Sequence, residues 1–446
     1  MKIEHWMTFG TFAEQRYFIY PKADTYSGVV INANMAAHAP QGLAAFLLEK
    51  TKNLNYIVDP LTHAFQHDPE AVMTTDKDGN RAVKTSIQTL ANAYGAPVTG
   101  VVGKRPLNPD DLKDEKILDA FVKGCLSFQT EQLTNAMNDT DVVKYLDESE
   151  RKKPPYAVVA PYFYMTETTV DRWLPICTSS ARIAINSKIA NKVFAAIVVS
   201  QGVILDDQLI EKIANSFSTL NLAGYLLWVD GLNEQEAGGA ELKGLLALAR
   251  KLRANNTREV INLHGGYFSI LAAGTLGNEA LSGVAHGPEF GEYRSVVPVG
   301  GGIPIARYYV PLLHSRIRYR EAMAALRFKG WLDSAEKFHA NVCNCQECMS
   351  VLDGKPENFV KFGIGNVKMI KRGANFVRLE FPTKETKEHC LRHYLNVKVQ
   401  EYAEAVNVDK TQIISNLDKG LAEFGGIMGI DAVSYLDLWK QVLTAK

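Results

Sequence analysis

Eight short apolar runs, rich in β-branched residues, alternate with helical stretches between residues 28 and 313. That alternation limits the fold more than any other feature of the chain. The runs are GVVINAN (28–34), YIVDP (56–60), YAVVAPYF (156–163), AAIVVSQ (195–201), GYLLWVD (224–230), VINLHGG (260–266), SGVAHG (282–287) and RYYVPLL (307–313). Their apolar residues are continuous rather than alternating, the pattern of strands buried on both faces of a parallel sheet. Between them, DDQLIEKIANSF (206–217) and AELKGLLALARKLRAN (240–255) space apolar residues by three and four, as a helix covering a sheet does. Eight such units predict an α/β fold, a (β/α)8 TIM barrel, with a doubly wound open sheet as the alternative.

The spacing is uneven after the second run. Residues 66–155 read as a mainly helical insertion that ends in the charged DESERKKPPY before the next strand. The barrel, with this insertion, is expected over residues 1–330. Residues 331–446 form a C-terminal segment with a cysteine cluster, a short β-like section and a long helix from Thr383 to Ala405.

The 446 residues carry 49 acidic and 49 basic side chains, so bulk charge offers no argument for a polyanionic partner. The N-terminal MKIEHWMTFGTFAEQRYF lacks a signal peptide's apolar core, and no apolar run approaches the roughly 18 residues of a membrane span. Cys125, Cys177 and Cys390 are scattered, unlike a secreted disulfide framework. A cytoplasmic protein with no membrane contact is expected.

In a barrel, catalytic groups sit at the C-terminal ends of the strands. Here those ends carry Asn32 and Asn34, then Asp59 with Thr62 and His63, Tyr162, Gln201, Asp230, His264 before Gly265 and Gly266, and His286 near Glu289. Asp59 follows a buried-looking YIV and precedes Pro60, where a carboxylate can serve as base, nucleophile or acceptor for a purine-like edge, or simply cap a turn. An early His-x-His pair is missing, which disfavours a metallohydrolase. The triple glycine in VPVGGGIP (297–304) is either a phosphate cradle or a tight turn.

Half of the six cysteines fall in NVCNCQECMS, as Cys343, Cys345 and Cys348. Three soft ligands on one loop suit zinc, which needs a fourth. His389 and His393 lie one helical turn apart in KEHCLRHYLNVKVQE, and either supplies it. Four protein ligands leave no open position, so the zinc is expected to be structural. A redox Cys-x-x-Cys pair is the rival reading.

A barrel followed by CNCQEC (343–348) and a distant helix-borne histidine resembles the tRNA-guanine transglycosylase family, including relatives that insert 7-deazaguanine bases into DNA. HYLNVKVQE (393–401) is similar to that family's ligand-histidine helix. VVSQGVILDDQL (198–209) and AGYLLWVDGLNEQEA (223–237) are similar to its base-contacting segments. The resemblance implies a base-exchange or N-glycosidic enzyme acting on guanine or deazaguanine in tRNA or DNA. Asp59 then matches an aspartate near the bound base, and Gln201 the base reader. Asp230, His264, Gly265 and Tyr162 line the substrate site, and His286 or Glu289 assists the leaving group. The family's nucleophile is an aspartate ending the seventh strand, yet SGVAHGPEFGE has none, and Asp59 is followed by PLTHAF rather than Ser-Gly-Gly. A catalytically silent barrel is therefore the second expectation, acting as one half of a homodimer or heteromer or as a nucleic-acid-binding module.

Overall fold

The computed structural model describes residues 2–10, 25–51, 53–75, 77–139, 153–253, 258–274, 276, 280–289, 291–297, 305–372 and 375–445. Gly300 to Gly302 of the triple-glycine turn and most of DESERKKPPY lie outside them. Backbone contacts divide the chain into two compact units, Met1–Pro298 and Val299–Lys446.

Among the described residues, the barrel of the first unit is built from eight parallel strands: β1 (Glu4–Phe9), β2 (Gly28–Asn32), β3 (Asn55–Asp59), β4 (Ala157–Ala160), β5 (Val193–Val199), β6 (Gly224–Val229), β7 (Glu259–Asn262) and β8 (Gly283–His286). Each pairs in parallel with the next, and β8 pairs with β1, so the sheet closes into a barrel. The expected TIM barrel is present, with one strand reassigned. RYYVPLL is not its last strand, because Arg307–Val310 pairs antiparallel with Ser315–Arg318 in the second unit. The missing strand is EHWMTF near the N-terminus, which the run of continuous apolar residues does not reveal because Glu4, His5 and Thr8 interrupt it.

Alternate residues of each strand point inward, so Trp6, Val30, Ile57, Val159, Leu226, Trp228, Ile261 and Ala285 share one packed interior. The complementary residues face the surrounding helices, which is why β5 is buried along its whole length. Gly28 is required by this packing: a Cβ there would lie 2.3 Å from the Trp6 ring. Outside, α2 (Asp207–Ser218) is capped by Asp206, which accepts from the N–H groups of Gln208 and Leu209. It buries Ile210, Ile213, Ala214 and Phe217, the three-and-four stripe of the sequence, each large side chain contributing about 1.5–3 kcal/mol.

The insertion follows β3, the second of the expected strands. Its main element is α1 (Glu115–Asp139), accompanied by helix Thr85–Tyr94 and a small hairpin, Met73–Thr75 with Arg81–Val83. Gln129 of α1 docks on the barrel as a strand would: its Nε2 donates to Val159 O at 2.8 Å and its Oε1 accepts from Val159 N at 2.7 Å.

The second unit holds β9 (Arg307–Val310) and β10 (Ser315–Arg318), the cysteine loop leading into α3 (Gln346–Leu352), and an antiparallel hairpin of β11 (Gly365–Arg372) and β12 (Asn375–Pro382). It ends in α4 (Lys384–Asn407) and two further helices. Among the described residues, no helix is long and apolar enough to cross a membrane.

Candidate active site and metal centre

Asp59 is the last residue of β3, two positions beyond the inward-facing Ile57, so it lies at the barrel's C-terminal mouth. The chain then turns sharply. Leu61 adopts a left-handed conformation (φ 54°) and its N–H donates to Asp59 Oδ1 at 3.1 Å. Thr62 clasps the loop after β4: Tyr162 N donates to Thr62 Oγ1 at 2.9 Å, and the Thr62 hydroxyl donates to Tyr162 O. This clasp brings the Tyr162 hydroxyl to Asp59 Oδ1, at 2.6 Å, and to His63 Nδ1, at 3.0 Å. The hydroxyl proton serves the carboxylate, so its oxygen accepts from His63 Nδ1–H, which leaves the lone pair of a neutral His63 on Nε2.

All three side chains are buried. Burial, the largest influence, raises the Asp59 pKa, against Tyr162, the Leu61 N–H and Arg294, which pull it down. Burial, then the nearby His67, Arg294 and His264, hold His63 well below the usual imidazole range. Trp228 stands between two such rings, its centroid 5.3 Å from His63 and 4.8 Å from His264. His264 is pushed down to about 3 by burial and by Arg294, against a hydrogen bond to the Gly291 backbone. The mouth thus offers a carboxyl group and two neutral imidazoles around one indole.

The segment after β8 folds across this cluster. Arg294 O accepts from Trp228 Nε1 at 2.9 Å and from Gly231 N at 3.0 Å, and the Arg294 guanidinium sits 5.9 Å from the Trp228 ring. Asp230 is its anchor, accepting from Val296 N at 2.7 Å and from Tyr164 Oη at 2.8 Å.

Of the residues expected here, Asp59 and Tyr162 touch, and His264 joins them through Trp228 and His63. Gln201 is exposed and donates to Asp230 O at 3.0 Å. Gly265 N donates to Ala285 O at 3.1 Å, and a Cβ at Gly265 would press within 2.6 Å of Val284. Glu289 is half-buried in the turn after β8. His286 is elsewhere: Ala285 faces the interior, so His286 faces out and lies 2.8 Å from His5 of β1, Nε2 to Nε2. Strand alternation, not distance along the chain, removes it from the mouth.

Trp228, Arg294 and Glu234 were not singled out by sequence. Glu234 is buried and accepts from Ser269 through Oγ (2.5 Å) and N (3.3 Å), and burial raises its pKa to about 7. Nothing in GLNEQEA separates it from an ordinary loop acid.

In the second unit, Cys343, Cys345, Cys348 and His393 are all buried, with their donor atoms within 4.8 Å of one another, and this Cys3His group could hold a metal ion. His393 Nδ1 lies 3.7, 3.4 and 3.2 Å from the sulfurs of Cys343, Cys345 and Cys348. Its Nε2 donates to Tyr309 O at 2.6 Å, which directs the Nδ1 lone pair at the thiols. The Tyr308 ring stacks on the imidazole at 4.2 Å, and its hydroxyl lies 3.3 Å from Cys348 Sγ. His389, the other candidate, instead pairs with Glu347 at 2.6 Å.

No protein-family model matches the chain, and no curated protein matches it. Among solved structures it is similar to the carboxyl transferase domain from Rhizobium etli pyruvate carboxylase with 3-hydroxypyruvate, at 10% identity and a TM-score of 0.34. The match covers 100% of this chain and 55% of that one, so the chain spans about half its length. A likeness this low bears on no chemical question.

Proposed function

We propose that the chain is a base-exchange or N-glycosidic enzyme acting on a nucleic acid, with Asp59 as the reacting carboxylate at the barrel mouth. The observation that carries this reading is the buried chain from His63 through Tyr162 to Asp59. It holds one carboxylate oxygen rigidly: among the described residues, both hydrogen bonds to Asp59 fall on Oδ1. Oδ2 is thereby left for a ligand. A carboxylate made more basic by burial is the better nucleophile once ionised, and Tyr162 and Arg294 favour ionisation. In the proposed reaction Asp59 Oδ2 bonds to the anomeric carbon as the bond to the base breaks, its electron pair remaining on the base nitrogen, which takes up a proton. A second base then displaces Asp59 from the sugar and loses a proton.

The resemblance carried by CNCQEC and HYLNVKVQE supports the reaction class, and the donor set supports zinc as the metal. Tetrahedral bonds of about 2.3 Å to sulfur and 2.0 Å to nitrogen put those atoms about 3.5 Å apart, against 3.2–3.7 Å here. Zinc held this way is closed to water, and its role is to hold the cysteine loop against α4.

A second reading, a catalytically silent barrel serving as a partner subunit, is favoured by one observation. β7 leads into His264 and β8 ends in His286, so neither carries an aspartate at its end. Exchange of labelled guanine or a 7-deazaguanine base into tRNA and into DNA decides between them. Asp59→Asn is expected to abolish exchange while leaving fold and metal content intact; full turnover by that variant would remove Asp59 from the chemistry, and no exchange by the unmodified chain would favour the silent barrel.

A further inference from the structure

The β11–β12 hairpin is a ribbon with little packing of its own. Its register runs from Gly365 opposite Pro382 to Arg372 opposite Asn375, and none of its described side chains is buried. An isolated two-stranded hairpin is marginal in water, and apolar surface left exposed on one marks a contact site. Val367, Met369 and Phe376 are 50%, 60% and 65% exposed.

Directly opposed residues share a face, so the register puts Met369 against Arg378 and Lys371 against Phe376 on the face that also carries Val367. Cationic and apolar side chains therefore alternate across it. On that face Lys371 and Arg378 accompany a single acid, Glu380, which is already paired with Arg320 at 2.5 Å. Lys371 and Arg378 make no ion pair among the described residues. With Glu380 engaged by Arg320, Lys371 and Arg378 are the charges this face presents. A second copy laid on the same face would oppose like charges.

We infer that this hairpin docks double-stranded DNA, with Lys371 and Arg378 meeting phosphates and Phe376 and Met369 contacting the groove. Eight residues per strand make a ribbon about 25 Å long. The major groove of B-form DNA, about 12 Å wide, admits a two-stranded ribbon, whereas the deep, narrow major groove of A-form RNA does not. The inference deepens the proposed reading, on which its choice of a nucleic acid rests, by naming DNA rather than tRNA as the substrate class.

The test is anisotropy of a labelled 20-base-pair duplex with the full chain, titrated between 50 and 200 mM salt, beside a labelled tRNA. The double variant Lys371→Glu, Arg378→Glu is expected to bind DNA at least about tenfold more weakly, with a log–log salt slope shallower by about 2, because two phosphate contacts are gone. Phe376→Ala should weaken binding with an unchanged slope. Metal content and far-UV circular dichroism report whether each variant remains folded. DNA affinity and slope unchanged in the double variant would overturn the inference, as would tRNA binding as tightly as DNA through the same residues. So would unchanged DNA binding together with a shift in sedimentation, which would make a second copy the occupant. Binding is read on the unmodified chain without turnover, so a failure of the proposed exchange reaction appears separately, as absent turnover with hairpin-dependent binding intact.

Discussion

The Tyr162 hydroxyl donates to Asp59 Oδ1 across 2.6 Å, joining two barrel loops about a hundred residues apart in the chain. That bond keeps a carboxylate usable inside a site whose burial works against its charge.

Tyr162→Phe should therefore raise the Asp59 pKa further and cost about 1–3 kcal/mol near neutral pH, where the buried carboxylate has lost a donor. The sign follows from linkage. Asp59 is raised in the folded state, so its contribution to stability is fully present below the unfolded carboxyl pKa and is lost as pH rises through the folded value. Urea denaturation at a series of pH values should show this decline in the unmodified chain, a decline reaching to higher pH in Tyr162→Phe, and none from this group in Asp59→Asn.

His264, held down to about 3, should stay neutral from pH 8 to pH 5. Nitrogen-15 spectra of the histidine rings will show this directly, and a His264 signal titrating near 6.5 would contradict the burial described here. Its loss of stability belongs to the acid side, where charging the ring favours the unfolded chain.

The two candidate metal histidines should separate cleanly. His393→Ala and Cys345→Ser are expected to lose about one metal ion per chain by elemental analysis, whereas His389→Ala retains it, because His389 is engaged with Glu347. Chelation should destabilise the second unit as the substitutions do.

Glu401 shows the opposite electrostatic logic. Burial would raise its pKa, but Lys398, His314 and Tyr309 outweigh burial and bring it down to about 2. Lys398→Met leaves Glu401 buried without its 2.9 Å cationic partner and should cost about 3–5 kcal/mol. Since the folded pKa is depressed, the stability it contributes is present above the unfolded value and is lost as pH falls toward 2; without Lys398 the folded pKa rises, so this acid-side decline should be smaller in the variant.

Residue pattern carried much of this outcome. β2 through β8 are continuous apolar runs because strands covered on both faces have no polar side to display. The candidate metal loop was legible because three thiols in so short a stretch, Cys343, Cys345 and Cys348, match the donor set of a soft metal. Asp59 was visible as a charge ending an apolar strand. β1 escaped notice because Glu4 and Thr8 sit at partly exposed positions and break the run, and RYYVPLL imitates a barrel strand because β9, too, is mostly buried.

By itself, then, the sequence determined the parallel α/β barrel, the insertion after Asp59 and the three cysteines of the metal group, because each depends on burial period or on donor type along a short stretch. The tertiary structure alone decided which polar strand ends meet. Alternation turns His286 outward to His5 while Asp59 turns inward to Tyr162, and the Tyr309 carbonyl selects His393 over His389. Those choices rest on register and on hydrogen bonds between distant residues, where a single-residue step reverses the face a side chain presents.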